Sequence, residues 1–187
     1  MLIVALDIQD TINEIEKLEE EIEKLKKNKI IMAHIITAPN EKHNLSIYHS
    51  QKLFLAGGIT NCPDWQSELI ELIKHHDNLT IYNPRRKNFP IHNPNASEEQ
   101  IVWEYRHLTT ADIITFWFSR GSPNPIVLYE LGRYGLSNYD KRIIIGIDPE
   151  YERKRDVEIQ TSLSRKSTPI VYSLEELANM IDEYLKW

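Results

Sequence analysis

The sequence predicts an α/β domain with a flavodoxin-like or Rossmann-like, doubly wound parallel sheet of five strands, preceded by an N-terminal helical extension. The first supporting observation is composition, because 187 residues with 41% hydrophobic and 27% charged side chains suffice for one soluble globular core. The second is order: from Lys52 onward, short apolar segments alternate with amphipathic helical segments, which implies right-handed crossovers. We therefore divide the chain into residues 1–48, an extension with a linker, and residues 49–187, the main domain.

The extension contains a predicted helix from Asp10 to Lys29, with a capping-box pattern at Thr11 and Glu14. Its apolar residues recur every three or four positions and form a narrow seam: Ile12, Ile15, Leu18, Ile22 and Leu25. A seam this short favours pairing within a homo-oligomer over an independent coiled coil, with folding back onto the main domain as the alternative. The apolar segment 30–36 fits a strand or a continued helix, and 37–51 is typical of a linker.

The elements of the main domain follow the alternation. The predicted strands are 53–56, 79–82, 113–118, 142–147 and 169–172, and the predicted helices are 64–76, 97–110, 125–137 and 174–185, with a polar, possible helix at 150–163. In such a sheet the loops after the strands gather around one crevice. Residues that directly follow the strands are therefore the candidates for a site.

The composition argues against several classes of function. A net charge of −6 does not suit a nucleic-acid binder, which needs a clustered basic surface. Cys62 is the only cysteine, which excludes an intrachain disulfide and fits a reducing compartment. The seven histidines show no recurring ligand spacing, so we predict neither a metal nor a cofactor. The apolar start is too short for a signal or a membrane span, and we expect a cytoplasmic protein.

Two loops after predicted strands offer ligand contacts. Gly57 and Gly58 follow the first strand and allow close approach of a ligand to the backbone, although a Gly-Gly pair alone is weak evidence and the dinucleotide fingerprint is absent. Asn83, Arg85 and Arg86 follow the second strand. Two guanidinium groups on a turn fit a phosphate or a carboxylate; the alternative is a solvated surface pair.

The helix 97–110 starts with a capping-box pattern of Ser97 and Gln100 and brings Gln100, Trp103 and Glu104 to adjoining positions. A tryptophan beside a carboxylate suits a wall on which a base stacks, but Trp103 fits a core position equally well.

Two aspartates near helix ends, Asp64 and Asp112, can be explained by structure alone or by function. Asp112 precedes a strongly apolar strand and is either a buried acid at the strand entrance or a cap on the turn after the helix. Asp64, followed by Trp65, lies where a carboxylate complements the helix dipole, which explains it without a function.

Glu130 is the most informative candidate because its helix follows an apolar strand. Asn124 is a good N-cap and Pro125 suits the first helical position, which puts Glu130 about one and a half turns into the helix, near the crevice. The alternative is an exposed glutamate paired with Arg133 or Tyr134 one turn on. Spacing alone does not decide between them.

Six motifs together resemble those of nucleoside 2-deoxyribosyltransferase-like proteins and span about residues 52–171. In order they are Phe54-Leu-Ala-Gly-Gly-Ile59, Asp64-Trp65, Asn83-Pro-Arg-Arg86, Gln100-Ile-Val-Trp-Glu104, Ala111-Asp112 and Leu128-Tyr-Glu-Leu-Gly-Arg133. The last is also similar to a segment of the related deoxynucleoside 5′-monophosphate N-glycosidases. Each motif alone is weak, but their order is specific.

The resemblance implies an enzyme that cleaves or transfers the N-glycosidic bond of 2-deoxynucleosides or their monophosphates. Glu130 would be the nucleophile that forms a covalent deoxyribosyl ester, and Asp112 would assist proton transfer to the departing base. Gly57 and Gly58 would border the sugar. The remaining substrate contacts are expected among the other motif residues: Asp64, Trp65, Asn83, Arg85, Arg86, Gln100, Trp103, Glu104 and Asn124. Related enzymes form homo-oligomers in which neighbouring subunits complete the pocket.

Two departures from the family pattern motivate an alternative. Asn124 stands six residues before Glu130, where the transferases have an acid and the monophosphate glycosidases a serine, and Phe54 replaces a tyrosine. The alternative is therefore a nucleotide-binding or sensing module that has kept the fold without efficient turnover. A third hypothesis is an assembly factor that acts through residues 10–29.

Overall fold

The computed structural model of the chain describes residues 14–20, 32–40, 50–90, 92–136 and 139–186. Contacts divide the chain into two compact units, residues 1–31 and residues 32–187. In the first unit, residues 14–20 form helix α1. The rest of the predicted helix, with most of its apolar seam and Thr11 of its capping box, lies outside the described residues, so self-association through it stays a prediction.

The second unit contains a six-stranded parallel sheet with the order β1-β3-β2-β4-β5-β6. Its strands are β1 (His34–Thr37), β2 (Gln51–Gly57), β3 (Leu79–Asn83), β4 (Ile113–Phe118), β5 (Arg142–Ile147) and β6 (Ile170–Val171). The five strands from β2 onward have the flavodoxin-like order, as predicted. The sixth is β1, which pairs with β3 and shows that residues 34–36 of the ambiguous apolar segment belong to a strand. The domain division at residue 48 stays a prediction, although β1 joins the sheet from the N-terminal side of it.

Helices cover both faces of this sheet. They are α2 (Trp65–Ile73), α3 (Ala96–Thr110), α4 (Pro125–Glu130), α5 (Lys154–Ser164) and α6 (Leu174–Leu185). Because successive strand residues point to opposite faces, Leu53 and Leu55 of β2 pack in the cluster with α2 and α6, whereas Phe54 and Ala56 pack with α3 and α4. This two-sided burial confirms the doubly wound architecture.

Several helix boundaries differ from the predicted ones, and α2 ends at Ile73 instead of the predicted residue 76. α3 begins at Ala96 after Asn95, so Ser97 is not its cap and the predicted capping box is wrong. α4 begins at Pro125 as expected, but after Glu130 the chain continues as a π-helical segment, Leu131–Leu136. α5 begins later than expected, at Lys154. Within the described part of the chain, no helix combines the length and apolar character needed to cross a membrane.

Candidate active site

A cleft of about 490 Å³ opens at the carboxyl end of β2, where the sequence predicts the crevice. Four segments line it: β2 with its following loop, Pro84 after β3, the inner side of α3, and α4 with the loop that precedes it. The lining residues are Phe54, Ala56, Gly57, Gly58, Ile59, Thr60, Asn61, Pro84, Ile101, Glu104, Ser122, Asn124, Pro125, Ile126, Val127 and Glu130.

Glu130 lines this cleft and is 9% exposed. Burial raises the pKa of its carboxyl group from 4.5 to about 8, and the nearby charge of Glu104 adds to the rise. Among the described residues Glu130 has no ion-pair partner, and Arg133 instead lies over the rings of Tyr105 and Tyr134. The structure therefore favours a buried acid over the surface pair that spacing alone allowed.

Glu104 is the second carboxylate of the cleft. Its Oε1 accepts a hydrogen bond of 2.7 Å from Nε2 of Gln100, which also donates to the carbonyl of Pro84 at 2.8 Å. Burial raises the pKa of Glu104, while the Gln100 hydrogen bond and the charge of Arg86 lower it. Gln100 therefore orients Glu104 and ties α3 to the loop after β3.

Asp112 does not belong to this site, and the prediction that it stands beside Glu130 is wrong. It immediately precedes Ile113, the first residue of β4, and its carboxylate accepts a hydrogen bond of 2.9 Å from the backbone N–H of Lys52. Its own N–H donates to the carbonyl of Lys52. Asp112 is thus an exposed residue at the amino edge of the sheet, a whole strand length away from the cleft, where it closes the β2–β4 pairing.

Arg85 holds the loop that forms one wall of the cleft. Its guanidinium donates to Oε1 of Gln66 at 2.8 Å and to the carbonyl of Pro63 at 2.8 Å, and it pairs with Asp64 at 3.2 Å. Asn83 supports the turn by accepting a hydrogen bond of 2.9 Å from the N–H of Arg85. Neither Arg85 nor Asn83 lines the cleft. The geometry therefore gives both residues a role in positioning the loop instead of the predicted contact with a ligand.

Arg86 is likewise engaged within the protein. Its side chain is nearly buried, pairs with Glu99 at 2.9 Å and lies over the ring of Phe89. It also lowers the pKa of Glu104 through its charge. Arg86 is therefore neither half of a solvated pair, which was the alternative, nor a lining residue of the cleft, which a direct ligand contact would require; its charge acts on Glu104.

Both predicted tryptophans are core residues. Trp65 is buried under the glycine loop and donates from Nε1 to the carbonyl of Gly58 at 3.0 Å. A Cβ at Gly57 would approach the Trp65 ring to 2.4 Å, which explains why glycine stands there. Trp103 is buried against Phe54 and donates to the carbonyl of Asn40 at 2.9 Å, so it is not the exposed stacking wall that its position allowed. Asp64 caps α2 by accepting from the N–H of Ser67.

Asn124 joins the start of α4 to the glycine loop. Its backbone is left-handed, with φ of 49°, a conformation that asparagine tolerates better than most residues. Asn124 stands at the N-cap position of α4 as predicted, but its side chain makes no capping hydrogen bond. Its side-chain amide instead donates to the carbonyls of Ser119 at 2.9 Å and Ser122 at 2.8 Å and so braces the turn. A Cβ at Gly58 would lie 2.0 Å from the Asn124 Oδ1, so only glycine permits this approach.

The cleft thus combines two carboxyl groups with mainly apolar walls. Among its lining residues, all of which belong to the described part of the chain, Glu104 and Glu130 are the only ionisable ones. Ile101 and Ile126 form an exposed apolar rim that the sequence did not single out, because isolated surface isoleucines are common. Two acids with raised pKa values in one hollow are an arrangement suited to proton transfer and nucleophilic attack.

Comparisons with known proteins identify a family. The family model described as "Nucleoside 2-deoxyribosyltransferase like" matches residues 50–151, more than half of the chain. A solved structure titled "Crystal structure of conserved protein from Enterococcus faecalis V583" is similar with a TM-score of 0.47 and 12% sequence identity, covering 72% of this chain and 99% of that one. No curated protein matches the chain.

Proposed function

Since the chain belongs to the nucleoside 2-deoxyribosyltransferase-like family, we propose that it cleaves the N-glycosidic bond of a 2-deoxynucleoside with Glu130 as nucleophile. The observation that supports this most is the pair of carboxyl groups, Glu130 and Glu104, in one cleft at the carboxyl edge of the sheet. Glu104 replaces Asp112 as the proton donor, because Asp112 is at the opposite edge.

In the first step, a carboxylate oxygen of Glu130 attacks the anomeric carbon of the sugar and forms a glycosyl ester. The carbon–nitrogen bond to the base breaks, and its electron pair leaves with the base. Glu104 supplies the proton that the departing base takes up. The hydrogen bond from Gln100 holds Glu104 in place for this transfer.

In the second step, an acceptor attacks the anomeric carbon and releases Glu130. The acceptor is either a second nucleobase, which makes the protein a transferase, or water, which makes it a hydrolase. Glu104 then takes a proton from the acceptor, the reverse of its first role. Two displacements at the same carbon retain its configuration.

The protonation states of Glu130 and Glu104 decide which form of the cleft can react. With its pKa near 8, Glu130 is mostly protonated in the free protein at neutral pH. The reactive form has the proton on Glu104 and the charge on Glu130, and the positive charge that develops on the sugar stabilises that form. Because the two carboxyl groups interact, they titrate as a pair, and the reactive form is one arrangement of the proton they share.

Charge favours an uncharged nucleoside over its 5′-monophosphate. Glu104 and Glu130 are the only ionisable residues among those that line the cleft, so a phosphate group would meet acids and no lining cation. Arg85 and Arg86, the predicted phosphate ligands, are already paired with Asp64 and Glu99. A phosphate would have to displace these partners, which we expect to weaken its binding.

The proposal is tested by incubating the protein with deoxynucleosides and their monophosphates, with and without acceptor bases, and separating free bases by chromatography. Base release should be faster with nucleosides, and Glu130→Ala should lower it by at least about 30-fold, which corresponds to about 2 kcal/mol in the barrier. Glu71→Ala, at an exposed residue of α2, controls for handling of the variants. No release above the Glu130→Ala level from any substrate would refute catalysis.

A second candidate is a nucleoside-binding module without turnover. The observation in its favour is the raised pKa of Glu130, since a protonated carboxyl group donates a hydrogen bond well but attacks poorly. Asn124, which stands where the transferases have an acid, points the same way because its amide is used to brace the turn. Calorimetry would show saturable nucleoside binding with no base released.

A further inference from the structure

His75, His76 and Asp182 form a cluster that the proposed reaction does not use. The ligand atoms that these three residues offer all lie within 4.8 Å of one another. Nε2 of His76 is 2.7 Å from Oδ1 of Asp182, and the two imidazole rings are 4.1 Å apart between centroids. Sequence spacing does not reveal the cluster, because Asp182 lies 106 residues after His76 along the chain.

The hydrogen bonds of His75 leave its outer nitrogen available. Its Nδ1 lies 3.1 Å from the carbonyl oxygen of Leu72, and since that oxygen only accepts, Nδ1 must bear the proton. In a neutral ring, Nε2 then has a free lone pair. A backbone carbonyl that fixes Nδ1–H is the usual support for a histidine that ligates a metal through Nε2.

From this arrangement we propose that His75, His76 and Asp182 bind a divalent transition-metal cation, with Zn²⁺ as the best match. Two imidazole nitrogens and one carboxylate oxygen are a ligand set that Zn²⁺ accepts, with water in the fourth position. The cation takes the place of the proton between Nε2 of His76 and Oδ1 of Asp182, and that proton moves to Nδ1 of the same ring, which leaves Nε2 free to ligate.

The required adjustment is small. In a tetrahedral site with bonds of about 2.0–2.2 Å, neighbouring ligand atoms are about 3.3–3.5 Å apart. The His76–Asp182 pair must open slightly, and the widest separation must close by roughly 1–1.5 Å. His75 is exposed, so its side chain has room for this shift, and Lys74, which precedes it in the chain, pairs with Glu71.

The bound cation would join two helices of one face. His75 and His76 follow the end of α2, and Asp182 lies near the end of α6, which packs on α2 through residues such as Leu69, Ile73 and Ile181. Both helices run back from the carboxyl edge of the sheet, so the cluster lies at the amino edge. The cation clamps the C-terminal helix at the side opposite the cleft and takes no part in the chemistry there.

The test is isothermal titration of the tag-free, metal-stripped full chain with Zn²⁺ alone, together with thermal unfolding in its presence. We expect one Zn²⁺ per chain and a raised Tm, with His76→Gln and Asp182→Asn each weakening binding at least about tenfold. Asp77→Asn, a matched change at an exposed neighbour outside the cluster, should bind as the wild type does. Co²⁺ should give the absorption of a four-coordinate site in the wild type and lose it in His75→Gln.

Absence of saturable binding, or equal binding by the wild type and the cluster variants, would overturn the proposal. Asp182→Asn keeps a hydrogen-bonding partner for His76, so it separates a lost ligand from a misfolded helix. Circular dichroism of each variant without metal checks the fold. Since Glu130→Ala should bind Zn²⁺ normally, a failure of this site and a failure of the proposed catalysis are separately visible.

Discussion

Replacing Glu130 by glutamine should stabilise the protein, and increasingly so as the pH rises. Burial and the charge of Glu104 raise the pKa of this carboxyl group to about 8 in the folded chain, against 4.5 as its ordinary value. Between these two values the folded protein binds more protons than the unfolded one, so the stability of the wild type falls as pH rises through that window. Glutamine has a similar shape and does not titrate.

The size of the effect follows from the pKa. One pKa unit corresponds to about 1.4 kcal/mol of free energy. Ionisation of Glu130 should therefore lower the free energy of unfolding of the wild type by about 3 kcal/mol at about pH 7 and by about 5 kcal/mol well above pH 8, relative to its value at about pH 4. The advantage of Glu130→Gln over the wild type should grow by these amounts. A constant offset from burying an amide cancels when the pH dependence is compared.

The assay is urea unfolding of both proteins at about pH 5, 7 and 9. Glu98→Gln, at an exposed residue in the first turn of α3, controls for the loss of one negative charge at the surface. A difference between wild type and Glu130→Gln that stays constant over this range would refute the reasoning. It would mean that the carboxylate is ionised and solvated in the folded protein.

Three further predictions concern the cleft. Glu104→Gln should lower base release about 100-fold or more if Glu104 donates the proton, whereas Asp112→Asn should leave the rate nearly unchanged; the reverse pattern would restore the original assignment. Arg85→Ala should lower the free energy of unfolding by about 2 kcal/mol and weaken nucleoside and monophosphate binding by the same factor in calorimetry, and a selective loss of monophosphate affinity would contradict its structural role. The value of kcat/KM should fall as the pH rises through about 8, because the carboxyl pair then loses the one proton that Glu104 must donate, and a rate that keeps rising above about pH 8 would contradict a proton shared by the pair.

Much of the fold was predictable because its signals are local. The apolar segment 113–118 became β4 at the same residues, and the amphipathic pattern of 174–185 became α6. The sequence leaves the apolar segment 30–36, which contains most of β1, open between strand and helix, because so short a segment carries too little periodicity; the strand conformation of β1 depends on its pairing with β3. The π-helical segment after Glu130 could not be predicted, because no side-chain pattern in the sequence distinguishes it from an α-helix.

The candidate site was predictable in its location and less so in its details. Spacing along α4 correctly brought Glu130 to the carboxyl edge of the sheet. Asp112 was misassigned because a sequence motif shows only where a residue lies along the chain. Asp112 precedes β4 and therefore lies at the amino edge of the sheet, whereas the cleft is at the carboxyl edge. The two arginines looked available in sequence, and only tertiary structure supplies Asp64 and Glu99 as their partners.

Trapping the glycosyl ester tests the central claim most directly. A deoxynucleoside with fluorine at the 2′ position should react slowly enough for the ester to accumulate, because fluorine destabilises the positive charge that develops on the sugar in the second step. Peptide mass spectrometry should then find the fluorinated sugar on Glu130, and on no residue of Glu130→Gln. A label on Glu104, or no label while the unmodified nucleoside still releases its base, would contradict the account.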